Sequence, residues 1–475
     1  MKEWHRGFAL LGLVAIVGCG GSSSGDGGGT AGAPSGTGGA SGSSAGSAGM
    51  SGTGGLSAGG AGGSAGSGGG KSGSGGAAGV AGSSGGAGGS GASGAGGANG
   101  GTGGSSGAGM VDCNVAAMAP MIVSLPKPSV AKPALRGLGI VPTSTGFVIG
   151  FHEGSTDGAA DALTLVTLAT DGTLGTPQHA PLQACAGAAP GNGLGFALRG
   201  NAGLAAIPRP PCGMDGAGLS LVQFSAGATP QDTYLLQGPP GFSEITIPSH
   251  RALATVPGSV NVRVSYVQSG TASSFDASGV MPSSGFTPFG GGGADVVTSV
   301  ASTSSNKAIV QAAAGSKQLT ITATGPGFPK PTSLAGSPAP LVSATAMTGG
   351  SFAVVSLDAD GTTLRAYAIG DDGSASAQTS ATIAASTAFD VAPTTAGFVL
   401  ATRTSSQISV RAATLGGGPL LPDPAETKVP LAMGESGKSI AAAISGNVIA
   451  VVWLAADGMA SETDPVGRVM LLSCP

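Results

Sequence analysis

Acidic side chains in short Gly-containing turns are the residues of this sequence whose type and spacing come closest to chemistry. Asp358 and Asp360 lie in the segment SLDADG, and Asp457 lies in the segment AADG. Asp157 lies in the segment STDG, after a run of aromatic and β-branched residues. Carboxylate oxygens are ligands that Ca²⁺ prefers, so these turns could form a calcium or ligand face if they meet. The alternative is that Asp-Gly pairs simply favour turns, and the sequence leaves the metal unknown.

The pair His152 and Glu153, at the end of the run GFVIGFHE, is the other candidate for this face. An imidazole beside a carboxylate can transfer protons or ligate a metal. The alternative is two polar residues at the point where a strand leaves a sheet. Because the sequence contains no Gly-x-Ser-x-Gly elbow and no His-Glu-x-x-His segment, we predict no catalytic residue.

The first 19 residues are typical of a secretion signal. Lys2 and Arg6 form a short basic region, and the 12 residues 7–18 are uncharged and mostly apolar. A helix that spans a bilayer needs about 20 apolar residues, so this run is too short to anchor the protein by itself.

The signal ends in the segment IVGC, which resembles the lipobox of bacterial lipoproteins. The resemblance implies cleavage after Gly18, a diacylglycerol on the Cys19 thiol, and an acylated, palmitate-bearing amino terminus. Several acyl chains hold a protein on a bilayer where one chain does not. Gly20 after the cysteine implies outer-membrane sorting, with the protein facing either the periplasm or the cell exterior. The alternative is an ordinary secretory signal that contains a chance cysteine.

Residues 20–110 are almost entirely Gly, Ser, Ala and Thr, with Asp26 and Lys71 as the only charges. Such a segment has too little apolar surface to offset the entropy of ordering it, so we predict a disordered tether. A Gly-rich coil of this length has a root-mean-square span on the order of 50–60 Å. The tether would therefore hold a folded domain clear of a membrane surface.

Residues 111–475 contain short β-branched and aromatic runs, separated by Gly, Pro and Asp-Gly turns, that recur about every 50 residues. Each unit contains three readable strands, and the second strand is the clearest. The predicted second strands begin at Phe147, Leu204, Ala252, Lys307, Phe352, Phe398 and Val448. Four-stranded units with this period are typical of an all-β, seven-bladed β-propeller. An array of β-sandwiches is the alternative, and no blade motif of a known family is present.

The seventh unit ends after its third strand, because Cys474 and Pro475 are the last residues of the sequence. We predict that residues 121–125 (MIVSL) supply the missing outer strand and close the ring.

Four cysteines follow Cys19, and an even number in an exported chain indicates disulfides. In the propeller, Cys113 and Cys474 fall on one face, whereas Cys185 and Cys212 fall on the other. The pairing Cys113–Cys474 with Cys185–Cys212 is the only one of the three that keeps each bond on one face. Metal binding by these residues is disfavoured because no Cys-x-x-Cys spacing is present.

Composition limits the functions that this chain can perform. Only 9% of the residues are charged and the net charge is −4, which excludes a nucleic-acid-binding surface. With 4% aromatic residues, the chain offers few platforms for a substrate. We therefore predict a binding or scaffolding module for a protein or glycan ligand. A carbohydrate-active hydrolase or lyase that uses the central cleft is the alternative, and a spacer without a small ligand is the third.

Overall fold

The computed structural model describes residue 115 and residues 118–188, 191–238, 244–291, 295–305, 307–316, 318–326, 332–376, 378–395, 397–415, 421–422 and 425–473. The predicted signal peptide, including Cys19, and the predicted tether lie outside the described residues. Within the described part of the chain, the regular structure consists of β-strands and short 3₁₀ turns. None of the described residues forms a helix with the length and hydropathy that a membrane span requires.

The strands form seven antiparallel sheets, which we number as blades 1 to 7. One strand precedes blade 1: β1 (Met121–Ser124). Blade 1 contains β2 (Pro133–Pro142), β3 (Gly146–Ser155), β4 (Asp161–Ala169) and β5 (Gln178–Pro181). Blade 2 contains β6 (Gly195–Arg199), β7 (Ala202–Arg209), β8 (Gly216–Ser225) and β9 (Pro230–Gly238). Blade 3 contains β10 (Ile245–Thr246), β11 (Leu253–Thr255), β12 (Val262–Gln268), β13 (Thr271–Ser278), β14 (Met281–Pro282) and β15 (Thr287–Gly291).

The remaining four blades repeat this order. Blade 4 contains β16 (Val297–Thr303), β17 (Ala308–Ala314), β18 (Leu319–Thr324) and β19 (Thr332–Gly336). Blade 5 contains β20 (Leu341–Ala346), β21 (Phe352–Leu357), β22 (Thr363–Ile369) and β23 (Thr379–Thr382). Blade 6 contains β24 (Ala388–Pro393), β25 (Phe398–Arg403), β26 (Gln407–Thr414), β27 (Leu421–Pro422) and β28 (Thr427–Pro430). Blade 7 contains β29 (Ile440–Ser445), β30 (Val448–Leu454) and β32 (Gly467–Ser473), whereas β31 (Gly458–Met459) pairs with β2 of blade 1.

Each blade buries both faces of its second strand, which explains why these strands have continuous apolar runs rather than alternating ones. In β3, Val148 packs against blade 2 and Ile149 packs against blade 7. Apolar clusters fill all seven contacts between neighbouring blades. Trp453, which is fully buried, belongs to the cluster between blades 6 and 7. Burying an aliphatic side chain stabilises a fold by about 1.5–3 kcal/mol, so these clusters hold the blades together.

The ring is closed by the amino-terminal strand, as predicted. The innermost strands contact one another in sequence around a central channel, and β2 contacts β29 to complete the circle. Strand β1 pairs antiparallel with β32, with Met121 opposite Leu471 and Ser124 opposite Arg468. The outer strand of blade 7 therefore comes from the other end of the described chain, and the prediction of a seven-bladed β-propeller is confirmed.

The prediction for the third unit was wrong in one respect. The segment after Ala252 is not a second strand, because β11 pairs only with β12 and lies innermost, beside β6 and β16. The second strand is β12, which begins at Val262. A 3₁₀ turn at His250–Ala252 divides the innermost position of blade 3 between β10 and β11. Because first and second strands are both buried, their apolar runs look alike in sequence.

One of the two predicted disulfides lies in the described region and is confirmed. Cys185, in the link from blade 1 to blade 2, is bonded to Cys212, in the loop after β7, with the two Cα atoms 5.5 Å apart. Cys113 and Cys474 lie outside the described residues, so their bond stays a prediction.

Candidate functional site

The innermost strands begin at one end of the propeller, which we call the link face, and a cavity opens there. Every blade contributes to its wall, and this cavity of about 280 Å³ is called the funnel below. Its lining includes one residue from each blade in turn: Arg136, Gly193, His250, Val297, Ser343, Asp390 and Ser439. A wider cavity of about 400 Å³ adjoins it and shares Arg136 and Ser439.

The floor of the funnel is a buried ion pair between blades 3 and 6. The Nε atom of Arg251 donates to Oδ1 of Asp390 at 2.7 Å, and Nη2 donates to Oδ2 at 3.3 Å. Arg251 is 8% exposed and Asp390 is 2% exposed. Burial raises the pKa of Asp390, but its neighbours, first among them the Arg251 guanidinium, together hold the pKa below its ordinary value. The carboxyl is therefore ionised at neutral pH.

Two further blades satisfy the remaining hydrogen-bonding capacity of this pair. The Ser343 hydroxyl of blade 5 donates to Oδ1 of Asp390 at 2.7 Å. In blade 7, the backbone N–H of Ala442 donates to Oδ2 at 2.8 Å, and its carbonyl accepts from Arg251 at 2.9 Å. One buried carboxylate thus links blades 3, 5, 6 and 7 across the channel.

His250 lies beside this bridge, with Nε2 3.4 Å from Oδ2 of Asp390. Burial lowers the pKa of His250 to about 4, against the opposing effect of the Asp390 carboxylate and with a further lowering by Arg251. The imidazole is therefore neutral at pH 7 and offers the funnel a hydrogen-bonding group rather than a charge.

The bridge divides the channel. His250 and Arg251 also line a cavity of about 20 Å³ with mostly apolar walls, among them Ile140, Phe196 and Ile444. The wide space lies on the side of the link face, and the narrow space lies on the other side. The funnel is therefore a pocket with a floor rather than an open tunnel.

The rim of the funnel at blade 7 is held by a hydrogen-bond network. Asp457 accepts from the backbone N–H of Lys438 and from the Ser439 hydroxyl. Arg403, which is 1% exposed, donates through Nη1 to the carbonyls of Leu454 at 2.8 Å and of Ser439 at 3.4 Å. The bonds to Ser439 and to the Lys438 N–H hold the backbone of the segment that carries Lys438 at the funnel rim.

The pair His152 and Glu153 lies outside the funnel. Both side chains are fully buried, and they point to opposite faces of β3 because strand residues alternate. His152 Nε2 lies 2.7 Å from Oδ1 of Asp161. Glu153 accepts from the backbone N–H and the hydroxyl of Ser129, each at 2.7 Å, and from the Thr164 hydroxyl. Both residues are engaged in packing blade 1.

Asp358 and Asp360 are held by bonds within their own turn. Arg365 Nη2 donates to Oδ2 of Asp358 at 2.6 Å. Asp360 accepts from the backbone N–H groups of Thr362 at 2.8 Å and Thr363 at 2.9 Å. These bonds lower the pKa of Asp360 to about 2, with the Thr362 N–H as the largest cause. Both carboxylates serve the local turn.

Asp157 and Asp457 complete the predicted face, and only Asp457 reaches the funnel. Asp157 pairs with Nζ of Lys132 at 3.0 Å, and hydrogen bonds from Ser155 and Lys132 hold its pKa below the usual range. Among the described residues, no three His, Cys, Asp or Glu side chains are grouped so that they could hold a metal. The calcium hypothesis therefore has no ligand set in the part of the chain that the structure describes.

The residues that form the floor and wall were not singled out from the sequence. Asp390 lies in the apolar strand AFDVAP, and Arg136 lies in the strand PALRGLGIVP. A lone charged residue inside an innermost strand was the available signal, because such a residue must face the channel or an internal partner.

Comparisons with known proteins bear on the fold alone. No protein-family model and no curated protein sequence matches this chain. Among solved structures, a fungal lectin from Aleuria aurantia, described as a six-bladed β-propeller with a fucose recognition mode, is 14% identical over 52% of this chain and 78% of its own, with a TM-score of 0.33. The Dos1 propeller is 12% identical over 74% of this chain and 95% of its own, with a TM-score of 0.37.

The NanB sialidase from Streptococcus pneumoniae is 10% identical over 74% of this chain and 70% of its own, with a TM-score of 0.41. At these identities and scores, none of the three likenesses says what this chain binds. The strand order and the closed ring of innermost strands stand on their own: the described part of the chain is a seven-bladed β-propeller with a floored funnel on its link face.

Proposed function

We propose that this protein is a lipid-anchored, extracytoplasmic binding module whose hydrophilic ligand, a glycan, enters the funnel. The observation that carries the binding part is the funnel itself, which all seven blades line and which the Arg251–Asp390 pair closes below. Ligand pockets are typically concave, preformed and of about 300–1,000 Å³, and the funnel with its adjoining cavity reaches that range.

The wall of the funnel suits a ligand rich in hydroxyl groups. Ser249, Ser343, Thr387 and Ser439 line it, and hydroxyl side chains both donate and accept hydrogen bonds. The neutral imidazole of His250 adds a further group of this kind. The hydroxyl groups of a bound ligand would therefore find hydrogen-bonding partners at several depths in the funnel.

A hydrolase or lyase in the same cleft is the second candidate, because His250 and Asp390 lie 3.4 Å apart at the floor. A glycosidase needs a carboxylic acid with a raised pKa beside a second carboxylate. Asp390 has a lowered pKa, and Arg251, Ser343 and Ala442 occupy its oxygens. The floor therefore supports binding better than proton transfer, and turnover of a bound glycan would reverse this order.

Filling the funnel should abolish ligand binding. Thr387 is an exposed residue of the wall, and its backbone N–H donates to the Arg403 carbonyl at 2.7 Å, a bond that any substituted residue except proline keeps. We expect Thr387→Trp to reduce binding at least tenfold by occupying the space of the ligand. The measurement is retention of the detergent-purified full chain on an array of immobilised neutral and acidic oligosaccharides.

Thr176→Trp is the matched control, since Thr176 is exposed in the loop between β4 and β5, at the other end of the propeller. It should bind like the unsubstituted protein. Equal retention of both variants, or no retention of the unsubstituted protein on any oligosaccharide, would show that the funnel is not a glycan site.

The anchor part of the proposal is supported by the sequence segment IVGC. Cys19→Ser removes the thiol that would carry lipid, so the variant should leave the membrane pellet and retain its signal peptide. The measurement is membrane fractionation with mass determination of the amino terminus, and the neighbouring Ser22→Ala serves as the control. Membrane attachment of Cys19→Ser equal to that of Ser22→Ala would disprove lipidation.

A further inference from the structure

We propose that the glycan bound in the funnel is acidic and that its carboxylate is bound by Arg136, with Lys438 as the second cation. This inference rests on the proposed binding function of the funnel and adds the chemical class of the ligand.

Arg136 occupies a β-bulge in the innermost strand of blade 1. Leu135 is opposite Glu153 and Gly137 is opposite His152, so Arg136 has no partner residue on β3. A bulge turns a side chain away from the regular alternation, and bulges are frequent beside binding sites. The side chain lines both the funnel and the wider cavity at its mouth.

The backbone of the bulge is held in place by the neighbouring link. The Gly193 N–H donates to the Arg136 carbonyl at 2.7 Å. Gly193 has a φ of 109°, and a Cβ atom there would lie 1.6 Å from the Ile247 carbonyl oxygen. Only glycine permits this close approach of three segments. The backbone from which the Arg136 side chain projects is therefore fixed.

The guanidinium of Arg136 lacks the partners that a half-buried cation requires. Its Nη1 atom donates to Oδ1 of the exposed Asn192 at 3.3 Å, which is a long bond. Its Nε atom is buried and has no hydrogen-bond partner among the described residues. Buried polar groups are almost always paired, so an unpaired Nε at the wall of a cavity points to a group that is supplied from outside.

The carboxylates that line the two cavities leave the Arg136 Nε atom without a partner. Asp390 is neutralised by Arg251, and Asp457 already accepts from the Lys438 N–H and the Ser439 hydroxyl. Asp295 is exposed at the wider mouth and forms no ion pair with a described cation. Lys438 is exposed at the rim, with its ammonium likewise free of an ion pair within the described chain.

A carboxylate fits this arrangement because the planar guanidinium offers two parallel N–H donors to its two oxygens. Blades 1 and 7 are neighbours, so Arg136 and Lys438 flank the same part of the wall. Among the apolar residues of the remaining wall lie hydroxyl side chains, which suit the ring hydroxyls of a sugar. A uronic-acid residue unites both features in one ligand.

The test uses two ligands with the same sugar backbone: an oligomer of galacturonic acid and the same oligomer with its carboxyl groups methyl-esterified, which removes the charge and adds one methyl group per residue. Calorimetric titration into the detergent-purified full chain should show at least tenfold tighter binding of the acidic oligomer. Arg136→Gln should remove at least this factor, and Lys438→Gln a smaller one. Raising the salt concentration should weaken binding of the acidic oligomer only.

Lys428→Gln is the matched control, because Lys428 pairs with Glu426 on the outer strand β28, away from the funnel. Thermal unfolding of each variant shows that it is folded. Arg136→Lys keeps the charge but loses the two parallel N–H donors of the guanidinium, so it should bind with intermediate affinity. These results together would support the inference.

Four results would overturn it. Equal binding of both oligomers, or unchanged binding by Arg136→Gln, would show that the funnel binds a glycan without discriminating by charge. The proposed function would then stand. Binding of only a peptide with a free carboxyl terminus would assign the carboxylate to another class of ligand. Failure of every acidic and neutral oligosaccharide would remove the inference together with the glycan function.

Discussion

Asp390→Ala should lower the free energy of unfolding by about 3–5 kcal/mol, because it leaves the Arg251 guanidinium buried without a counter-ion. The change also removes the acceptor of the Ser343 hydroxyl and of the Ala442 N–H. Asp390 joins four blades, so the loss affects the ring as a whole rather than one hairpin. Urea unfolding of the full chain, followed by circular dichroism, is the measurement.

Asp358→Ala is the matched control for this change. Asp358 also pairs with an arginine, Arg365, but their side chains are 17% and 27% exposed. Ion pairs that water partly reaches contribute less than fully buried ones, so this variant should lose less stability than Asp390→Ala. A combined Asp390→Ala and Arg251→Met variant should recover most of the loss, because replacing a buried pair by apolar groups is often neutral. Equal, small effects of Asp390→Ala and Asp358→Ala would show that the bridge does not stabilise the ring.

The architecture was predictable because it depends on local patterns. The second strands of six units were located within a few residues, from Gly146–Ser155 in blade 1 to Val448–Leu454 in blade 7. The strand Met121–Ser124 was recognisable as the closing strand because unit 7 lacked an outer strand. The pairing of Cys185 with Cys212 followed from the alternation of strand direction. Each of these inferences needs only the order of strands, not their side-chain contacts.

The funnel could not be predicted in the same way, because its residues are brought together only when the ring closes. Arg251 and Asp390 are separated by 139 residues, and the sequence around neither residue indicates that the two form a pair. The turns rich in carboxylates suggested a ligand face because their acidic residues lie close together in sequence, yet Asp358 and Asp360 stabilise their own turn. Carboxylates that cluster in sequence thus indicated turns. Isolated charged residues in or beside the innermost strands indicated the lining of the channel.

His250 should make the protein lose stability as the pH falls from about 6.5 towards 4. Its folded-state pKa of about 4 lies below the ordinary value of 6.5, so the unfolded chain binds a proton over this range that the folded chain does not. Stability therefore rises with pH across this window and is fully present above it. With these two values, the contribution lost at pH 4 is about 3 kcal/mol.

The measurement is the free energy of unfolding in urea at half-unit steps from pH 4 to 7.5. His250→Gln keeps a neutral polar side chain at the floor and should flatten the curve in this window. His179→Gln is the control, because His179 is exposed on the outer strand β5 and should leave the slope unchanged. A slope that persists in His250→Gln would assign the pH dependence to other groups and leave the neutral state of the imidazole without support. Because a protonated His250 would place a second cation beside Arg251 and Asp390, the floor of the funnel would in that state be charged rather than neutral, and its preference for ligands would have to be derived anew.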